Sequence, residues 1–360
     1  MNIRFYEIDL FRFLAAFGVM VFHYTYTAFM EGYAPIANFE NFREVSRYAY
    51  MGINFFFIIS GFVIFMSVKD GSAKKFVISR FVRLFPTYWA ALILTSLITV
   101  YWGGVGFSIT WPQFFANTTM INEAFNYKPI DGAYWTLFIE LKFYIFIWAL
   151  LLCGALQYIQ HILAFTLIVS TAALFFPWAE NVNMWTGIFP HWSGYFASGC
   201  VLYLLRRDGI NLYRMGLYIL SFIYIIIQSV LFGSLMGKWF DIIFDSTTII
   251  LINLVFFAVF SLTAFCKDNH LRKRWCFYLG ILTYPLYLTH QHIGYIIFNQ
   301  FGTESNIVNL IVLTILLMVV VAYLIHYFIE IKLSRSLSRW LTKRFLVIRK
   351  LDVRKKYQKV

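Results

Sequence analysis

The chain has 360 residues, of which 61% are hydrophobic, 21% aromatic and only 13% charged, with a mean hydropathy of +0.69. That leaves too little polar surface to cover a water-soluble globule of this size, which excludes that class. The formal net charge of +13 invites a nucleic-acid reading. The placement of the charges argues against it and for membrane topology.

The apolar runs are about twenty residues long, far longer than the roughly ten-residue alternating segments of a barrel. Ten spans are predicted, at about 8–29, 50–68, 80–101, 134–153, 158–177, 190–206, 213–233, 245–266, 277–298 and 306–330. With the N-terminus inside, 24 Lys and Arg residues fall on the cytoplasmic side, among them Lys74, Lys75, Arg80, Arg83 and eleven in the tail. Only Arg43, Arg47, Lys128 and Lys238 fall outside, while Arg12 and Lys142 lie within spans. This positive-inside asymmetry predicts an all-α polytopic integral membrane protein with about ten transmembrane helices and both termini cytoplasmic. The predicted organisation is one transmembrane domain over 1–331 and a basic cytoplasmic tail over 332–360, which either lies on anionic headgroups or is a solvated stop-transfer segment. No cleavable signal peptide is expected, because no small-residue cleavage site follows the first apolar run.

The first span carries Asp9, Arg12 and His23 in the run IDLFRFLAAFGVMVFH. Ionisable side chains at membrane depth are costly and mark polar sites. Arg12 and His23 are eleven residues apart, just over three turns, so they share nearly one face across roughly 16 Å of rise. In span two, Asn54, Ser60 and Gly61 interrupt a wall of Phe and Ile; either they allow close helix packing or they line a polar cavity. Arg80 and Arg83, one turn apart at the start of span three, serve topology or bind phosphate, which suits two guanidiniums on one face. Pro86 either kinks that helix or marks its start.

The loop from about 102 to 133 is long enough to suggest function, and its Asn, Thr and aromatic residues suit a sugar-like ligand. Asn117 stands in an N-x-T pattern. Span four carries Glu140, about 10 Å below its outer end; Lys142, two residues on, faces elsewhere, so Glu140 needs a partner on another span. Asp241 and Asp245 stand at the entrance to span eight, where acid favours a helix N-terminus. Span nine holds TYPLYLTHQH, with Tyr284, Tyr287 and His290 at three-residue steps. By rise per residue, His290 is about 12 Å deep and His23 about 9 Å, with Glu140 between them, which predicts one site in the outer half. His326 and Glu330 are positioned to form a separate inner pair. Cys153, Cys200, Cys266 and Cys276 lack metal-ligand spacing and read as apolar fillers, so no metal is expected.

Taken together, these residues resemble the acyltransferase family 3 membrane proteins. Asp9, Arg12 and His23 match its first-span motifs; FFFIISGF (55–62), SRFVRLFPTYW, WTLFIELKFY and TYPLYLTH match four more, in the same order. Asn54 replaces an acid common in the family, and FIEIKLSR lacks the proline that usually follows the last glutamate. The resemblance implies an O-acyltransferase, most often an O-acetyltransferase, that moves an acyl group from cytoplasmic acetyl-CoA or another acyl-CoA to an extracytoplasmic or lipid-linked glycan such as O-antigen, capsule or exopolysaccharide. It would sit in the bacterial cytoplasmic membrane, with membrane lipid, the glycan acceptor and acyl-CoA as partners, possible glycan-assembly partners, and no nucleic acid. No extracytoplasmic hydrolase-like domain is expected, so the chain either completes the transfer or hands the acyl group on.

The implied site has His23 and Glu140 as catalytic groups, with Glu140 either orienting the His23 ring or stabilising its protonated form, and Arg12, Arg80 and Arg83 at the CoA phosphates. Asp9, Asn54, Ser60, Trp135, Tyr144, Tyr287 and His290 would support it. His23 would serve as general base or transient acyl carrier. Two other classes fit the buried charges: a transporter of a small polar substrate or acyl donor, and a non-catalytic subunit of a glycan-assembly complex.

Overall fold

The computed structural model describes residues 5–35, 40–68, 71–104, 106–175, 191–265 and 273–344. The expectations for Cys266, for several of the cytoplasmic Lys and Arg residues and for the tail beyond 344 lie outside these residues. Among them there is no strand, and ten helices of 15 or more residues account for the ten predicted spans. In chain order these are α1 (Tyr6–Met30), α2 (Gly52–Met66), α3 (Ala73–Trp102), α4 (Trp135–Leu152), α5 (Ile159–Ala173), α6 (Ser193–Asp208), α7 (Leu212–Phe240), α8 (Ser246–Phe265), α9 (Arg274–Phe301) and α10 (Ile307–Arg344). The chain is therefore an all-α, multi-pass membrane protein.

Eight of these stretches are long and apolar enough to cross a membrane by themselves. The other two are α6, only 16 residues long, and α9, which carries Thr289, His290, Gln291 and His292 in its middle. Both are covered by neighbouring helices. Every residue of α6 from Gly194 to Leu205 is buried, as expected of a helix enclosed on all sides.

Small residues set the close contacts. A Cβ on Gly61 would stand 2.1 Å from the Phe196 carbonyl oxygen, and one on Gly199 would stand 2.0 Å from that of Ile58. The backbones of α2 and α6 thus touch, and Gly61 serves packing, the first of the two sequence alternatives. A second pair is α1 with α9: Gly280 receives Asp9 and Gly294 receives Tyr24. Those contacts advance together along both chains, so α1 and α9 run parallel.

The helix starts follow side-chain capping. Ser72 accepts the Lys75 N–H at 3.3 Å and begins α3 at Ala73, seven residues before the predicted start, so Pro86 lies inside the helix. Asp245 accepts both the backbone N–H and the hydroxyl of Thr248 at 2.7 Å, which explains that acid at the entrance to α8. Asp241 instead closes α7 in the left-handed region, with φ of 53°. The long loop contains a short helix, Trp111–Asn117, organised by Asn117 itself. Asn117 is fully buried, donates to the carbonyls of Gln113 and Lys128, and accepts from the Ile130 N–H at 3.0 Å. Its N-x-T pattern is a structural feature. The last helix is continuous from Ile307 to Arg344, with a π-helical segment at His326–Ser334.

Candidate active site

The run HYTYT that follows Phe22 is polar and partly β-branched, and there α1 widens into a π turn, His23–Thr27, with all five residues buried. Such turns interrupt the regular ladder and recur at functional sites. Here the turn brings His23 against α9: its Nδ1 lies 2.8 Å from His290 Nε2, and the two rings are 5.0 Å apart at 24°. His290 Nδ1 stands 2.9 Å from the Tyr287 carbonyl and 3.2 Å from that of Leu286.

A carbonyl oxygen only accepts, so His290 Nδ1 carries a hydrogen and, in the neutral pair, His290 Nε2 is bare. His23 Nδ1–H must then donate to it, which leaves the lone pair of His23 on Nε2. His290 is fully buried, while His23 keeps 8% of its surface exposed. His23 is thus the less enclosed of the two rings, and its Nε2 is the nitrogen that the pair leaves unengaged. Tyr24 fixes the arrangement by donating to the His290 carbonyl at 2.8 Å, with its ring seated on Gly294.

The segment after the long loop closes over this pair. Asp131, fully buried, accepts the Ala133 N–H at 2.8 Å and the His292 backbone N–H at 3.0 Å, tying the loop to α9. Burial pushes its carboxyl up to about 7 despite those two bonds. The Tyr287 hydroxyl is engaged with Thr136 Oγ1 at 2.8 Å and the Ala133 carbonyl at 3.3 Å. Thr27 and Tyr295 share a hydrogen bond beside His23, and Gln291 donates to the Tyr295 hydroxyl at 3.4 Å.

A second polar group lies toward the Arg80 end of the bundle. Glu140 Oε1 accepts from Ser60 at 3.2 Å and from Tyr144 at 2.7 Å. The charges of Arg83, Glu140 and Asp9 act on Arg12, and Arg80 interacts with Tyr144. Arg12 lies 5.3 Å from the centre of the Phe56 ring, and Arg80 lies 5.8 Å from that of Tyr144. The Nε–H groups of Arg12 and Arg80 are buried and have no protein acceptor. Arg83 is exposed at the rim.

Phe56 links the two groups. Its ring lies 6.4 Å from that of Tyr287, which is 5.6 Å from His290. One line of contacts therefore runs Arg12, Phe56, Tyr287, His290, His23.

The structure brings together His23, His290 and Tyr287 in one group and Arg12, Arg80, Arg83, Glu140, Tyr144, Ser60 and Asp9 in another. It does not give Glu140 the expected place beside the His23 ring: His290 orients that ring, and the bonds of Glu140 serve the arginine group. Asn54 faces α7, donating to Ser229 at 3.4 Å, and Trp135 packs on Trp192 at 5.2 Å. Ser60 turns out to bond Glu140, the polar alternative for that residue. His326 and Glu330 do pair, at 2.5 Å, and Glu330 also accepts from Thr87. Among the described residues no cluster of three or more His, Cys, Asp or Glu is arranged to hold a metal. Sequence reasoning missed Asp131, Tyr24, Tyr295 and Gln291. The one available signal was HYTYT, a polar run where a membrane helix should be apolar.

A multi-pass helical protein with a buried imidazole pair between α1 and α9 and buried arginines on α1 and α3 is the class this site defines. More specifically, residues 5–346 match the family described as an acyltransferase domain, and the chain belongs to that family, as its motifs suggested. Nodulation protein 10 of Rhizobium leguminosarum bv. viciae is 29% identical over 113 residues, covering 26% of this chain and 31% of that protein. The match thus spans about a third of the length of this curated relative. No solved structure matches.

Proposed function

We propose that the chain is an O-acyltransferase of the bacterial cytoplasmic membrane, with both termini in the cytoplasm, that transfers an acyl group, acetyl in the first instance, from acyl-CoA to a hydroxyl of an extracytoplasmic or lipid-linked glycan. The observation that carries this reading is the His23–His290 bond, which leaves a basic nitrogen on the more accessible ring. Support comes from the contacts joining that pair to the guanidinium group.

On this reading Arg12 and Arg80 use their unpartnered N–H groups on the CoA phosphates, with Arg83 at the rim. Glu140, held by Ser60 and Tyr144, offsets their charge when the site is empty. The pantetheine arm runs along the α1 face past Phe56 and delivers the thioester to His23. His23 Nε2 takes the proton of the acceptor hydroxyl as its oxygen attacks the thioester carbon. The C–S bond then breaks, and the imidazolium returns the proton to the departing thiolate. His290 Nε2 keeps the bond from His23 Nδ1–H throughout and stabilises the cationic ring, a positioning role.

The test is purified protein in liposomes with radiolabelled acetyl-CoA and a glycan acceptor. Label passing to the glycan in step with free CoA release supports the proposal. Binding without thioester loss would instead indicate a carrier, and a glycan-assembly subunit would do neither.

A further inference from the structure

We infer that Gln291 selects the acceptor: its amide binds a hydroxyl next to the one that His23 deprotonates. This rests on the acyl-transfer reading above and goes beyond it, since it concerns which polyol is accepted.

Gln291 follows His290 directly and lies on the side of the imidazole pair closed by the long loop. Two neighbours fix its amide. Nε2 donates to the Tyr295 hydroxyl at 3.4 Å. Tyr295 is in turn bonded to Thr27, whose hydroxyl donates to the His23 carbonyl at 3.1 Å. On the other side lies Gly132, where a Cβ would stand 2.6 Å from Nε2 and 2.9 Å from Oε1, so the loop leaves room for the amide by having no side chain there.

Oε1 is nevertheless buried with no protein partner. Buried amide oxygens are ordinarily bonded, because leaving one dry is unfavourable. Reversing the amide changes nothing essential: the half facing away from Tyr295 stays open. The open half is neutral, and a hydroxyl, which donates and accepts, satisfies either orientation. The site is therefore suited to a neutral polyol. Around it, Tyr33 stacks on Tyr295 at 5.0 Å and Phe107 lies 4.9 Å from Tyr33, forming an apolar wall that confines the ring bearing the hydroxyls. A site that bonds one particular hydroxyl discriminates against an analogue lacking it, whereas an apolar wall does not.

The experiment uses the full chain in liposomes with acetyl-CoA and a set of methyl hexopyranosides together with their monodeoxy analogues. Wild-type protein is expected to prefer one parent glycoside over one of its deoxy analogues by about tenfold in kcat/KM, the order expected for one lost hydrogen bond. Gln291→Leu is expected to bring that ratio close to one, through acceptor KM more than kcat, with ratios at other ring positions unchanged. A merely structural role would lower all acceptors alike. Should Gln291→Leu fail to accumulate, Gly132→Ala displaces the amide while leaving every hydrogen-bonding group in place, and the same loss of discrimination is expected. An unaltered ratio in the variant, or wild-type protein that consumes acetyl-CoA and treats all deoxy analogues equally, overturns the assignment of Gln291 alone. Wild-type protein that consumes no acetyl-CoA with any glycoside overturns the acyl-transfer reading itself.

Discussion

His23 donates through Nδ1 to His290 Nε2 across 2.8 Å, and His290 is anchored by its own Nδ1 to the carbonyl one turn back along its helix. Each ring thus dictates the tautomer of the next, starting from a backbone oxygen that cannot donate. Removing the two histidines should have unequal effects. His23→Ala is expected to lower glycan acetylation by about 10²–10⁴-fold, the usual contribution of a positioned general base. His290→Ala should reduce kcat with less change in acetyl-CoA KM, because the base survives unoriented. Wild-type acetylation in His23→Ala, at equal membrane abundance, would remove that ring from the mechanism.

At the opposite end of the contact line, Arg80 offers a buried, unpartnered N–H. Arg80→Ala is expected to raise the KM for acetyl-CoA by about tenfold or more, the order of a lost charge-assisted bond, while acceptor KM stays near wild type. Titrating each substrate at saturation of the other gives the answer. A change confined to the acceptor would place the donor elsewhere.

The α2–α6 contact predicts a stability effect far from any chemistry. Gly61→Ala drives a methyl against the Phe196 backbone and should cost roughly 1–3 kcal/mol, because overpacked backbones must part. Gly216→Ala, on α7 with nothing within 4 Å of the added carbon, should be neutral or stabilise by roughly 0.5–1 kcal/mol. Thermal unfolding of the two variants in detergent measures the difference.

Asp131 predicts a pH dependence. Its folded-state value of about 7 lies above the ordinary carboxyl value of about 4, so between those limits the folded chain holds a proton that the unfolded chain has released. Stability from this group is therefore present at low pH, declines as pH rises from about 4 to about 7, and levels off above that. Asp131→Asn should flatten this part of the Tm profile. An equally steep profile in the variant would assign the slope to another group.

The sequence by itself determined the class, the ten helices and the family. Each of these depends on information spread along the chain: twenty-residue apolar runs and motifs in a fixed order. It also marked Arg12, His23, Glu140 and His290, because charge or imidazole within an apolar helix is conspicuous at any single position. Depth counted along each helix placed His23, Glu140 and His290 at one level, but depth says nothing about rotation. Only the packing of α1 on α9, through Gly280 and Gly294, decided that His23 meets His290, while Glu140 turns to Ser60 and Tyr144. The π turn shifts the register of α1 by an amount no regular periodicity predicts. Asp131 and Gln291 escaped notice for the same reason: an acid in a loop and an amide on a helix become distinctive only once tertiary contacts bury them and decide which of their atoms find partners.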